Sequence, residues 1–156
     1  MKKIVPLIAV SLSIFFYPRI SNSNTSGSIG GKTGSPSDNA SCSSCHYAST
    51  GEGAVITSNI PSSGYVPGNI YTITATINQA GINKFGFEIT AEEENFGSDK
   101  KGIFFATNSN ETQTVNNNTA ITHKMGGTSG INTKSWTFDW QAPGFASSTG
   151  NIIFYG

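Results

Sequence analysis

Charged side chains are scarce in this chain: Asp, Glu, Lys and Arg make up 12% of its 156 residues, against about a quarter in typical globular proteins. Positive charge is concentrated in the first 23 residues, which contain Lys2, Lys3 and Arg19 and no acid. The remainder has six basic and nine acidic residues, a net charge of −3. Without a basic patch to neutralise phosphates, the composition argues against a nucleic-acid partner.

Reactive side chains are also few, since the chain has only two cysteines and two histidines. It contains no Ser-His-Asp set, no recognisable pair of catalytic carboxylates and no glycine-rich phosphate loop. We therefore expect a protein that is not an enzyme. Glu52 and Glu88 are expected to be surface residues, and the run "EEE" at 92–94 is expected at a solvated strand end or turn.

The amino terminus has the features of a secretory signal peptide over residues 1–23. Lys2 and Lys3 precede the apolar run "IVPLIAVSLSIFF" (4–16), which is too short to span a bilayer as a helix. Ser21 and Ser23 provide the small residues needed for cleavage after position 23. We expect a secreted or cell-surface protein without an integral membrane segment after cleavage; an uncleaved anchor is the alternative.

No helical period appears after residue 24, and two regions of different character follow the signal peptide. Residues 24–53 are rich in Gly, Ser, Thr and Asn and have few large apolar side chains, so they lack a core of their own. Residues 54–156 contain about seven short apolar runs separated by turn signals, among them "IYTITATI" (70–77), "KFGFEIT" (84–90), "TAITHKM" (119–125) and "KSWTFDW" (134–140). This spacing predicts an all-β, antiparallel β-sandwich preceded by an irregular segment.

Both cysteines and one histidine fall within five positions, in the sequence Cys42-Ser43-Ser44-Cys45-His46. This matches C-x-x-C-H, the attachment pattern of c-type haem. Thiols three positions apart can bond both vinyl-derived carbons of one porphyrin, and the following histidine can ligate the iron. We expect one covalent haem c on Cys42 and Cys45, with His46 as the proximal ligand.

Other chemistry is compatible with the same residues. A Cys42–Cys45 disulfide is the main structural alternative in an oxidising compartment. A thioredoxin-like redox pair lacks the expected βαβ setting, and zinc would need two further ligands, of which His123 is the obvious candidate.

The sixth position of such an iron has two candidate ligands, His123 and Met125. Because they are two positions apart in the predicted strand "TAITHKM", they are expected on the same face of it. His123 would give a bis-histidine iron, and Met125 would raise the reduction potential. A hydrogen-bonded structural histidine and an open iron site are the alternatives.

Several stretches together resemble the choice-of-anchor V domain of secreted bacterial proteins, which is similar to the reeler (reelin N-terminal) domain: "SGYVPGNIYTITATI", "KFGFEIT", "ITHKMGGTSG" and "WTFDWQAPGFASSTGNIIFYG". The resemblance covers residues 30–156. It implies an immunoglobulin-like β-sandwich and an extracellular location. It also implies that the matching positions, such as Gly64, Phe87 and Pro143, serve the fold, and it supports a structural role for His123.

Two functions follow as expectations. The first is electron transfer or another haem-based redox role at the cell surface, with a redox protein as partner. The second is an extracellular adhesion or matrix-binding module, in which Cys42 and Cys45 form a disulfide or hold a structural haem. Relatives usually continue beyond the "FYG" strand, so we expect that Gly156 could mark a truncated end.

Overall fold

The computed structural model describes residues 24–46, 53–94, 99–144 and 150–156. The expected signal peptide and Glu52 lie outside these residues. The described chain forms eight strands: β1 (Ala54–Ser58), β2 (Ile70–Asn78), β3 (Glu88–Glu93), β4 (Ile103–Phe105), β5 (Thr112–Val115), β6 (Ala120–His123), β7 (Thr133–Gln141) and β8 (Ile152–Tyr155). Its helical structure is limited to two 3₁₀ turns, Cys42–Ser44 and Met125–Gly127.

The strands form two antiparallel sheets of four strands each, which confirms the predicted β-sandwich. The first sheet has the order β1-β2-β7-β4 and the second the order β5-β6-β3-β8. The longest pairing joins β2 to β7, from Ile70 opposite Gln141 to Asn78 opposite Thr133. This register places Thr74 beside Thr137 and Thr76 beside Ser135 on the outer face of the first sheet.

The core lies between the sheets and is built from the apolar positions that alternate along the strands. Trp136, Phe138 and Trp140 share one face of β7 and are 0–1% exposed, as their spacing predicts. The Phe87 ring, directly before β3 of the opposite sheet, lies 5.7 Å from that of Phe138, nearly parallel at 11°. The predicted inward residues of β2, Tyr71 and Ile73, are also buried.

The amino-terminal layer, residues 24–46, packs on the outer face of the second sheet. Ser28 donates its backbone N–H to Thr122 Oγ1 at 3.0 Å in β6, and Gly31 donates its N–H to Glu88 Oε1 at 2.8 Å in β3. Further along, both the backbone N–H and the hydroxyl of Ser37 bond to Glu92. Polar contacts therefore order a segment that has no hydrophobic core of its own.

The structure corrects the expected exposure of the acidic residues. Glu88 does face away from the core, but the amino-terminal layer covers it and leaves it 1% exposed. Glu92 is likewise 1% exposed beneath Ser37, and Glu93 is buried beside Lys101 at 3.5 Å. The prediction of a surface Glu88 is wrong, because a third layer covers that face of the sheet. The "EEE" run does lie at the end of β3, but Glu92 is buried under the layer and Glu93 is buried beside Lys101, so the expected solvation is wrong for both.

Two strand predictions also differ from the structure. Strand β5, with the sequence "TQTV", has little apolar character and was not among the predicted strands. Strand β6 ends at His123, and Met125 begins the 3₁₀ turn that follows. The expectation that His123 and Met125 share one strand face is therefore wrong.

Candidate functional site

The CSSCH sequence forms a single tight turn within the amino-terminal layer. Cys42–Ser44 is the 3₁₀ turn, and the Cys42 carbonyl accepts the backbone N–H groups of Cys45 at 3.1 Å and His46 at 3.0 Å. Both cysteines are free and exposed, and His46 is exposed as well. The turn therefore presents two thiols and an imidazole from five consecutive residues at the protein surface.

The Cys42 side chain lies against the rest of the layer. Its thiol donates to the Lys32 carbonyl oxygen, with 3.6 Å between sulfur and oxygen. Although the residue as a whole is exposed, the contact with the layer partly removes its sulfur from water, which raises the pKa of the Cys42 thiol, and the negative charge of Glu88 raises it further. A thiol with a raised pKa is a weak nucleophile at neutral pH, whereas thiol–disulfide oxidoreductases depend on a lowered one.

Glu88 lies directly beneath this part of the layer. One carboxylate oxygen, Oε1, accepts the Gly31 N–H, and the next residue, Lys32, contacts Cys42. The second oxygen, Oε2, is buried and has no hydrogen-bond partner in the part of the chain that the structure describes. Such a group is unusual, because buried polar atoms in native proteins are nearly always paired.

Asp38 attaches the outer loop of the layer, between Thr33 and Ser41, to the sandwich. Asp38 forms an ion pair with Lys100, with 2.5 Å between Oδ1 and Nζ, and its side chain is 5% exposed. Its Oδ2 accepts the backbone N–H of Thr33 at 3.2 Å and the Thr33 hydroxyl at 2.5 Å. Burial acts to raise the pKa of Asp38, but the hydrogen bonds from Lys100 and Thr33 outweigh it and hold the pKa below its usual value.

His123 is half-buried at the end of β6, where it links the start of the layer to β3. Its Nδ1 accepts the Phe87 N–H at 3.0 Å, and its Nε2 lies 3.3 Å from the Asn24 carbonyl oxygen. Gly86 leaves space for the ring, since a Cβ there would lie 2.6 Å from Cε1. Both ring nitrogens are thus engaged, and binding to an iron would require one of these bonds to break.

The structure does not bring the other predicted ligand into the site. Met125 is 64% exposed at the start of its 3₁₀ turn. Within the described ranges, no group of three or more His, Cys, Asp or Glu residues could hold a metal ion. Cys42, Cys45 and His46 are close to one another because they are neighbours in the sequence. The fold brings only Glu88 towards them.

The donor set fits a covalently attached haem. Two free, exposed thiols on one turn can form the two thioether bonds, and the exposed His46 imidazole follows directly. Sequence reasoning missed Glu88 as a neighbour of this turn. Only the long-range contact between Gly31 and Glu88 reveals it.

Comparisons with known proteins agree with the fold. The Reelin-N domain of F-spondin superposes with a TM-score of 0.52 at 24% identity, over 69% of this chain and 73% of that one. The human F-spondin reeler domain (fragment 1) gives a TM-score of 0.50 at 21% identity, over 69% and 75%. These likenesses concern the fold alone. No curated protein matches the chain.

The family match covers more of the chain than the β-sandwich alone. The family model for the Reeler domain matches residues 23–156, which include the whole amino-terminal layer and the CSSCH turn. Among the described residues, no helix is long and apolar enough to cross a membrane. The match spans most of the sequence, and the chain belongs to the Reeler domain family.

Proposed function

We propose that this protein is an exported Reeler domain that carries one covalent haem c, attached through Cys42 and Cys45 with His46 as the proximal iron ligand. Its role would be electron transfer at the cell surface, because a haem iron supplies a one-electron couple. The observation that carries the proposal is the CSSCH turn, with both thiols free and exposed and the histidine adjacent. We infer a carrier and not an enzyme.

The surroundings of the turn support this use of the cysteines. The raised pKa of Cys42 disfavours a thiol–disulfide exchange role, which requires a stable thiolate. A zinc site lacks further ligands in the described part of the chain. The layer is docked by polar contacts at Glu88, Glu92 and Lys100, so it can hold the turn in place without a core of its own.

The proposed compartment rests on the signal peptide and the family. Reeler domains occur in extracellular proteins, and c-type haem is attached outside the cytoplasm, in line with export after residue 23. The finer assignment to the choice-of-anchor V domain is part of this proposal and rests on the order of the sequence motifs.

Family membership favours a second candidate, an extracellular adhesion or matrix-binding module. In that case Cys42 and Cys45 would form a disulfide or hold a structural haem. Oxidised, haem-free protein would support the disulfide form of this candidate.

Expression of the full chain with a c-type haem maturation system tests the proposal. We expect a haem adduct that survives denaturation, seen as a pyridine haemochrome spectrum and as added mass on the peptide containing residues 42–46. The double variant Cys42→Ser/Cys45→Ser should lose all of the adduct. Ser44→Ala, in the same turn, is the matched control and should retain it.

Two results would contradict the haem assignment: wild-type protein with two free thiols, or with a disulfide, and no haem in either case.

The variant His123→Ala tests the ligand at the sixth position of the iron. Both ring nitrogens of His123 are hydrogen-bonded. We therefore expect the haem of the His123→Ala variant to have the same Soret and α/β bands as the haem of the wild type. Altered bands would identify His123 as the distal ligand.

A further inference from the structure

The carboxylate of Glu88 is buried, but the amino-terminal layer forms a hydrogen bond with only one of its two oxygens. Only Oε1 has a partner, the Gly31 N–H at 2.8 Å, and Oε2 is buried without one among the described residues. The ion pairs in the described chain join Lys100 to Asp38, Lys101 to Glu93 and Asp99, and Lys134 to Glu111, so none of them compensates Glu88.

A carboxylate in this position is costly to the folded protein. Removing an ionised group from water without a charge partner is unfavourable, because the lost hydration is not replaced. Its neighbour Glu92 faces the same layer, yet both of its oxygens bond to Ser37. The stability of the fold therefore gives no reason for leaving Glu88 Oε2 unpaired.

The contacts place this charge beside the CSSCH turn. Glu88 Oε1 bonds to Gly31, the adjacent residue Lys32 offers its carbonyl to the Cys42 thiol at 3.6 Å, and Cys42 opens the turn. The electrostatic effect of Glu88 reaches the Cys42 sulfur. A group attached to that sulfur would therefore lie in the field of this carboxylate, which the positive charge of Lys32 offsets only in part.

We propose that Glu88 is a positioning residue for the redox chemistry of the haem site, where its buried charge stabilises the oxidised iron and lowers the reduction potential. The inference rests on the proposed function. Ferric haem carries one more positive charge than ferrous haem, so a nearby negative charge in a low-dielectric setting favours the ferric state. The Gly31 N–H holds this carboxylate through its Oε1 atom.

Spectroelectrochemical titration of the haem-loaded full chain tests this inference. Glu88→Gln keeps the size of the side chain and an oxygen for the Gly31 N–H but removes the charge. We expect at least a tenfold shift of the ferric–ferrous equilibrium towards ferrous at a given potential, a rise of about 59 mV for a one-electron couple. Glu88→Met, which has no acceptor oxygen, should shift the potential in the same direction.

Glu92→Gln is the matched control. It removes a buried carboxylate from the same face of β3, four residues or about 13 Å further along the strand, and should change the potential much less. An equal potential in Glu88→Gln and wild type, both carrying haem, overturns the role of Glu88 but leaves haem attachment standing. An equal effect of Glu92→Gln also overturns it, because the effect would then not be specific to Glu88.

A measurement on haem-free protein separates this inference from the proposed function. In a Cys45→Ser background, the pH dependence of Cys42 alkylation reports the thiol pKa. Glu88→Gln should lower that pKa, because the negative charge that raises it is gone. An unchanged alkylation profile would show that the charge does not reach the turn, and would overturn the inference whether or not haem is attached.

Discussion

The ion pair between Asp38 and Lys100 fastens the outer loop of the amino-terminal layer to the sandwich, and Asp38→Asn tests its importance. Lys100 lies between β3 and β4, whereas Asp38 lies in the loop between Thr33 and Ser41. Both side chains are largely buried, with 5% of Asp38 and 16% of Lys100 exposed. The pair is therefore shielded from the solvent screening that weakens surface ion pairs.

The size of the effect follows from the bonds that Asp38 makes. Oδ1 faces Lys100, and Oδ2 faces both donors of Thr33. An asparagine has one oxygen and one amide nitrogen, so it must point the nitrogen at a donor on one of these sides. Loss of a hydrogen bond to a charged group costs about 1.5–3 kcal/mol, and a cation left unpaired adds to this. We expect Asp38→Asn to destabilise the docked layer by about 2–4 kcal/mol.

Hydrogen exchange and urea denaturation measure this cost. If the layer opens by itself, protection of the Gly31 and Ser37 amides should fall while the urea midpoint stays constant; if it unfolds with the sandwich, both should fall. The double variant Asp38→Asn/Lys100→Met should cost less than the sum of the two single variants, because neither charge is then left unpaired.

The same pair predicts a pH dependence. The folded-state pKa of Asp38 lies below its ordinary value of 3.8, so its stabilisation is present above that pH and is lost as the pH falls through the folded pKa. Wild type should therefore lose layer protection in this acidic range more steeply than Asp38→Asn. Equal exchange rates in the two proteins at neutral pH, or additive costs in the double variant, would refute the reasoning.

Two further predictions concern the core. Phe138→Ala should lower the free energy of unfolding by about 3–5 kcal/mol, because Phe138 is fully buried against Phe87 and Phe104; urea denaturation would show this, and a cost below 1 kcal/mol, as expected for a surface residue, would contradict the packing. Trp136→Phe removes the indole N–H that bonds to the Gly127 carbonyl at 2.8 Å and should cost about 1–3 kcal/mol, with an unchanged urea midpoint as the contrary result.

Where the sequence alternates clearly, the buried residues were predicted correctly, although the strand predicted over 84–90 begins only at Glu88 in the structure. Trp136 and Phe138 lie two positions apart in β7 and both are buried, since side chains on one face of a strand recur every second residue. Strand β5 was missed because "TQTV" offers no such contrast. It becomes a strand through pairing with β6, where Thr112 lies opposite His123.

The candidate site was predictable only in part. The C-x-x-C-H spacing identifies Cys42, Cys45 and His46 without any structure, because the chemistry requires those residue types at that distance along the chain. The same spacing carries no information on Glu88, which is more than forty residues away from Cys42. For His123, the sequence left a ligand and a structural residue as alternatives, and the structure shows hydrogen bonds to both ring nitrogens.

The sequence by itself determined the sandwich, its apolar core and the composition of the CSSCH turn, because these depend on local periodicity and spacing. Only the tertiary structure decided the burial of Glu88 and Glu92. Both residues alternate outwards as surface residues do, and they are covered by a polar segment that has no hydrophobic signal. That segment docks through backbone N–H groups, such as those of Gly31 and Ser37. Nearly every residue has such a group, so the sequence does not show which of them will face a carboxylate; the tertiary structure decides this.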